Sequence, residues 1–209
     1  MLTIVDYGLG NNRSIQNMLR RAGIPSLISG DPSIVGSADR LILPGVGHFR
    51  SGMQQLKARG LIDTLNERVL KARVPILGIC LGAQLIGRYS EEGNVGGLNW
   101  LEMDTVVFDR ARMGNHQKVP HMGWAETNCR PHPLFKDMPE YPPRFYYVHS
   151  YHFDGIENPK VICNASHGYI FASGVCSDNI LGIQFHPEKS HHFGLRLFQN
   201  WVNLNSSPA

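Results

Sequence analysis

Among the four cysteines of the chain, Cys80 stands in a context suited to nucleophilic chemistry. It lies in Pro75-Ile-Leu-Gly-Ile-Cys80-Leu-Gly-Ala-Gln84-Leu-Ile86, where an apolar strand passes through a single turn into a helix. Gly78 and Gly82 flank it as G-x-C-x-G, the spacing of a nucleophile elbow, in which small neighbours permit a tight bend that exposes the side chain above a sheet. The bend also sets the sulfur at a helix N-terminus, where free N–H groups and the helix dipole favour thiolate over thiol. By residue type alone the cysteine reads as a buried structural thiol, and it is the elbow context that brings the catalytic reading level with it. Cys129, Cys163 and Cys176 have no comparable setting and are expected to be structural.

A thiolate that opens an amide needs a base to return a proton to the leaving amine, and that base needs an orienting group on its other nitrogen. Of the ten histidines, His186 in Leu181-Gly-Ile-Gln-Phe-His186-Pro-Glu188 offers both. It follows an apolar strand at the carboxyl end, the edge where open α/β sheets carry their sites. Pro187 is expected to keep the chain extended, so that the side chains of His186 and Glu188 point the same way. A loop histidine beside a surface acid is the alternative. Glu188, His191 and His192 also crowd His186, yet two adjacent histidines diverge and no HExxH or cysteine pair is present, so the expected metal set is none. His116, His121, His149 and His152 are expected to be surface residues or to stand behind the site.

The elements that must carry these residues follow from periodicity. Leu2–Val5, Ser26–Ser29, Leu41–Leu43 and Ile76–Ile79 read as buried strands, alternating with amphipathic helices over Asn12–Ala22 and Leu61–Leu70. From Trp100 the rhythm changes to β-like stretches, Thr105–Phe108, Phe145–Val148, Val161–Ala165, Tyr169–Ala172 and Ile180–Phe185, and His191–Leu204 reads as a closing helix. The pattern predicts an α/β fold: an open, mostly parallel twisted sheet flanked by helices, with an added antiparallel region in the second half. Residues 1–209 read as one domain, and no repeat or linker is evident.

Composition agrees with a globular enzyme. Hydrophobic residues make up 42% and charged residues 18%, enough for a sizeable core and too apolar for disorder. The net charge of +3, from 20 basic and 17 acidic residues, is scattered, which disfavours nucleic acid as a partner. Sparse cysteines without a CxxC pair, the lack of a signal-like start and the lack of a run of roughly 18 apolar residues predict a cytoplasmic chain with no membrane partner.

The turn around Cys80, the loop Pro44-Gly-Val-Gly47 after a strand and the ending His186-Pro-Glu188, in this order, resemble the class I (triad) glutamine amidotransferase family. Asp6-Tyr-Gly-Leu-Gly-Asn11-Asn-Arg-Ser14, Pro120-His-Met-Gly-Trp124 and Val148-His-Ser-Tyr151 resemble its histidine-pathway branch, the glutaminase subunits of imidazole glycerol phosphate synthase. The resemblance runs from Ile4 to about Trp201. It implies a Cys80, His186, Glu188 triad that converts L-glutamine to glutamate and ammonia without a cofactor. It implies oxyanion donors at Gly47 and Leu81, and glutamine contacts at Gln84, Glu92, Ser150 and Tyr151, with Glu91 adjacent to Glu92 as a competitor. It also implies a heterodimer with a synthase or cyclase subunit that receives ammonia through a tunnel, on a face that includes Asn11, Met122, Gly123, Trp124 and Lys189.

Some residues depart from that branch. Ala83 stands where Met is common, Gly97-Leu-Asn-Trp100 lacks the usual Gly-Leu-Gly segment, and His191-His192 replaces smaller residues. These resemble paralogous glutaminases that feed a sugar amidotransferase in surface-polysaccharide synthesis. An alternative of another class is a non-catalytic regulatory or binding module, against which the intact triad residues argue.

Overall fold

A computed structural model describes residues 1–114 and 117–204, so the expectation for His116 lies outside the described residues. The strands are β1 (Leu2–Val5), β2 (Ser26–Ser29), β3 (Arg40–Leu43), β4 (Ile76–Ile79), β5 (Tyr89–Ser90), β6 (Val95–Gly96), β7 (Asp104–Val107), β8 (His121–Glu126), β9 (Asn128–Cys129), β10 (Arg144–His149), β11 (Tyr151–Phe153), β12 (Val161–His167), β13 (Tyr169–Ser177) and β14 (Ile180–Ile183). The helices are α1 (Asn12–Arg21), α2 (Pro32–Val35), α3 (Phe49–Ala58), α4 (Leu61–Asn66), α5 (Leu81–Leu85) and α6 (His191–Asn203).

The main sheet runs β2-β1-β3-β4-β14-β13-β11-β7-β5-β6, with β12 and β9 joined beside β13. Strands β2, β1, β3, β4 and β14 are mutually parallel; β13 and β11 turn antiparallel, as the change of rhythm in the second half predicts. A separate two-stranded sheet pairs β8 with β10. Strands β1, β3, β4 and β14 are buried on both faces, which is why they read as apolar runs rather than as alternating ones, whereas β2, expected to be buried, is the edge strand of the sheet and leaves Leu27 40% exposed. Leu41 and Leu43 face one side with Phe49, Leu56, Leu61 and Leu65, whereas Ile42 faces the other with Ile15, Leu19, Phe193, Leu197, Phe198 and Trp201.

Several elements differ from the sequence expectation. The helix expected over Leu61–Leu70 is α-helical only to Asn66 and continues as a π-type turn over Glu67–Lys71. Helix α3 has few apolar residues and Gly52 at its centre, so its period is faint; that glycine lets α3 approach Leu85 of α5, where a Cβ would stand 3.0 Å from both leucine methyls. Strand β14 stops at Ile183, because the chain bends before His186.

Gly194 in α6 sits under the turn that follows His186, and a Cβ there would lie 1.8 Å from the Pro187 carbonyl oxygen. Backbone cannot yield as a side-chain tip can. Gly194→Ala is expected to cost about 1–3 kcal/mol or more through overpacking, read as a lower urea midpoint. An unchanged midpoint would show that the turn moves freely against α6.

Candidate active site

Strands β4 and β14 lie side by side in register, Ile79 opposite Ile183, and the Cys80 N–H donates to the Ile183 carbonyl at 2.8 Å. Both chains leave the sheet at its carboxyl edge, so the residues just beyond them become neighbours. Cys80 turns sharply, with φ 53° and ψ −111°, and α5 begins at the next residue. A side chain in this left-handed region costs of the order of 1–3 kcal/mol and must be over-determined by its surroundings. The glycines supply that constraint. A Cβ on Gly82 would stand 1.8 Å from the Leu43 carbonyl oxygen, and one on Gly78 would stand 2.7 Å from Cα of Ala83.

The elbow does not expose its sulfur as expected. Cys80 is 7% exposed and lies in the wall of a pocket of about 260 Å³ with Val46, Gly47, Leu81, Gln84, Glu92, Pro120, Val148, His149, Ser150 and Tyr151. The loop after β3 presses on the turn so closely that a Cβ at Gly45 would meet Tyr7 Oη at 2.6 Å and Gly82 N at 2.7 Å. Helix α5 is short, so its contribution to the sulfur is a set of first-turn N–H groups more than a long dipole.

Behind the sulfur, His186 Nδ1 and Glu188 Oε1 are 2.8 Å apart, and both side chains are 1% exposed. The reason differs from the expected one. The chain is extended only at His186; Pro187–Lys189 then forms a 3-10 turn, which folds Glu188 back onto the ring. The turn is fixed by Ser190, whose hydroxyl donates to the His186 carbonyl at 2.6 Å and accepts from the Tyr146 N–H at 3.0 Å. His186 Nε2 is buried with no conventional hydrogen-bond partner and faces Cys80. Burial disfavours the imidazolium, but the negative sulfur and the Glu188 carboxylate outweigh it and raise the His186 pKa to about 10. The arrangement can hold a thiolate beside a charged imidazole and pass one proton between sulfur, nitrogen and a bound amide.

Every residue expected to touch glutamine lines the pocket: Gln84, Glu92, Ser150 and Tyr151, as do the expected oxyanion residues Gly47 and Leu81. Gly47 has φ 111° in the loop before α3. The two neighbouring acids separate. Glu92 accepts from the Phe49 N–H at 2.7 Å at the start of α3, whereas Glu91 accepts from the Val107 N–H on β7. His121, His149 and His152 are not at the surface; all three are buried around Phe108, and His149 reaches the pocket wall. Alternation along β8 and β10 could have shown this, since His121, Tyr147 and His149 share the inward face. Among the described residues no three metal-ligating side chains are grouped as a metal would need.

The outward face of the β8–β10 sheet carries the residues expected at a partner. Met122 is 62% exposed and Trp124 39% exposed, both large and apolar, and the pocket residues Pro120 and Val148 lie beside them in the chain or across the ladder. Trp124 stacks on His191 at 5.4 Å, and Lys189 lies 5.5 Å above the Tyr146 ring. Gly123 and Asn11 are partly exposed.

The family described as glutamine amidotransferase class-I matches residues 3–203. The chain is 44% identical to imidazole glycerol phosphate synthase subunit HisH 2 of Pseudomonas aeruginosa, covering 98% of this chain and 100% of that one. It is 43% identical to HisH 2 of Methanococcus maripaludis (97% and 98% covered) and 44% identical to HisH of Sulfurimonas denitrificans (99% of each). A solved glutamine amidotransferase superposes with TM-score 0.73 at 18% identity over 97% of each chain, and PurLQS of Thermotoga maritima with 0.71 at 18% identity over 97% and 96%.

The leading cause that raises the His186 pKa is removed in Cys80→Ala, while burial, which favours the neutral ring, stays. The ring is therefore expected to titrate well below about 10 in that variant, read by NMR of the His186 imidazole. A midpoint equal to that of the unaltered protein would show that sulfur and ring are not coupled.

Proposed function

The chain belongs to the class-I glutamine amidotransferase family, and from that membership we propose that Cys80, His186 and Glu188 are its catalytic triad. The protein is a glutaminase of this family, releasing ammonia from the side chain of L-glutamine. Cys80 in the wall of the pocket, with the buried His186–Glu188 pair beside its sulfur, carries the reading.

Cys80 attacks the side-chain amide carbon, and a C–S bond forms as the carbonyl electrons move to oxygen. N–H groups of Leu81 and of the Gly47 loop receive that oxyanion. His186 gives its proton to the departing ammonia, and Glu188 holds the ring through Nδ1. Water then adds to the thioester, loses a proton to His186 and releases glutamate. Gln84, Glu92, Ser150 and Tyr151 hold the amino-acid portion of the substrate.

The HisH relatives support reading this chain as the glutaminase subunit, supplying ammonia, of a synthase in histidine biosynthesis. Its partner is a cyclase subunit that docks on Asn11, Met122, Gly123, Trp124 and Lys189, forming a heterodimer through which ammonia passes without meeting bulk water. The support is the exposed Met122 and Trp124 beside the pocket, a combination suited to an interface core. Among the described residues no helix is long and apolar enough to cross a membrane, and the biosynthetic relatives support a cytoplasmic setting. A second reading, a glutaminase that feeds a sugar amidotransferase, is favoured by His191 and His192, both exposed, with His191 stacked on Trp124 of the face proposed for the partner.

Cys80→Ala is expected to abolish glutamate release while synthesis from added ammonia continues. His186→Ala is expected to be about as damaging, because members of a catalytic unit are non-additive, and Glu188→Gln is expected to retain more activity. Substantial glutamine-dependent turnover by Cys80→Ala would remove the assigned nucleophile.

Trp124→Ala is expected to weaken partner binding by about 2 kcal/mol or more, as buried aromatic anchors do, with little change in isolated glutamine hydrolysis. Titration calorimetry against a cyclase and against a sugar amidotransferase measures it. Binding to the sugar amidotransferase alone would select the second reading.

A further inference from the structure

A second set of buried polar contacts reaches the Cys80 sulfur besides His186. Gln184 follows β14 and is fully buried; its Nε2 lies 3.6 Å from Cys80 Sγ. Its Oε1 accepts from Gln84 Nε2 at 2.9 Å. Gln84 Nε2 also donates to the Tyr151 carbonyl at 3.1 Å, which His149 Nδ1 approaches at 2.7 Å.

The direction of this chain follows from one atom. A carbonyl oxygen only accepts, so Tyr151 O must face the amino group of Gln84 rather than its oxygen. The other N–H of that amino group then needs an acceptor, which is Gln184 Oε1. That leaves the amino group of Gln184 aimed at the sulfur. The same carbonyl sets His149 as the Nδ1–H tautomer, and its Nε2 accepts from His121 Nδ1 at 3.0 Å. Burial, then the neighbouring His121, keeps His149 neutral, and burial, then His167, lowers the His121 pKa to about 4.

An N–H donor favours a thiolate, whereas the Val148 carbonyl, 3.9 Å from the sulfur, can be used only by a thiol. The two contacts therefore pull the sulfur toward opposite protonation states. The other ionisable groups at the sulfur are His186 and Tyr7. Burial, then the charge of Cys80, pushes the Tyr7 phenol up, and its hydroxyl donates to the Pro44 carbonyl at 2.6 Å. Tyr7 therefore stays neutral and offers the sulfur no charge.

We propose that Gln184 is a further catalytic residue, whose side-chain N–H binds the Cys80 sulfur as thiolate before attack and again when it leaves the acyl group. The inference rests on Cys80 being the nucleophile. In the attack the sulfur electron pair becomes the C–S bond. In thioester hydrolysis water adds to the carbonyl carbon and gives a proton to His186, the C–S bond breaks and its electron pair returns to sulfur. The Gln184 N–H meets the returning charge, and Gln84 keeps the amide from rotating.

The test is the rate of iodoacetamide alkylation against pH, with the labelled residue identified by mass spectrometry, for the full chain, Gln184→Leu and the near-isosteric Gln184→Glu. Folding of each variant is checked by near-ultraviolet circular dichroism. Cys80 is expected to be the residue labelled, with the pH midpoint raised by about one unit or more in Gln184→Leu, the size expected for a lost hydrogen bond to a charged group. Gln184→Glu, which places a negative charge beside the sulfur, is expected to raise it at least as far, and carries the test if the leucine variant does not fold. In either variant kcat for glutamine hydrolysis is expected to fall about tenfold or more, in step with a tenfold change per 1.4 kcal/mol. A folded variant with the original midpoint and kcat overturns the role of Gln184. Labelling of the unaltered chain at Cys129, Cys163 or Cys176 in place of Cys80 overturns instead the nucleophile assignment beneath it.

Discussion

The parallel pairing of β4 with β14 is the constraint on which the site depends. Cys80 and His186 are distant in sequence and meet because the two strands end together, with the Cys80 N–H bonded to Ile183. A shift of one residue in a strand reverses its side-chain faces, so register and chemistry stand or fall together. Leu181 and Ile183 pack on one side and Ile180 on the other, which makes any slip expensive. The core is thus the device that aligns Cys80 with His186.

Strain and electrostatics are arranged around that pairing. Cys80 adopts a backbone conformation that L residues avoid, and Gly45, Gly78 and Gly82 let three stretches of chain close on it from different sides. An imidazole with almost no exposure would ordinarily be neutral. Here a carboxylate on one nitrogen and a sulfur on the other reverse the preference, as two opposite charges compensate the loss of water. Buried charge is costly without such partners, so removing either one disturbs the other.

The β8–β10 sheet joins this interior to the surface. Its strands alternate strictly: His121, Tyr147 and His149 turn inward to the buried aromatic and histidine cluster, while Met122, Trp124 and Tyr146 turn outward. The inward face braces the pocket wall through the contact of His149 with Tyr151, and the outward face is the one proposed to meet a partner. Two neighbouring residues of one strand therefore serve the pocket and the surface separately.

Much of the fold and site could be read from the sequence because it is local. The strands through Ile79 are short apolar runs, the elbow is a spacing of two glycines about one cysteine, and Glu188 stands two residues from the histidine it orients. Helix α3 was not legible, because Gly52 and its polar neighbours blur the period, and the inward histidines of β8 and β10 become legible only once His121 is placed on a strand, since a histidine's type assigns no face and alternation does. The choice between Glu91 and Glu92 was also undecided by type, and only the packing of β7 and α3 against them separates the two. The sequence by itself determined which residues have the chemistry for a thiolate, its base and its orienting acid. Tertiary structure alone decided that the sulfur is sunk in a pocket wall, that a 3-10 turn and not an extended chain brings Glu188 to the ring, and that Gln184 points at the sulfur. These are outcomes of contacts between distant segments, and a one-dimensional pattern carries the residues of such contacts without their meeting.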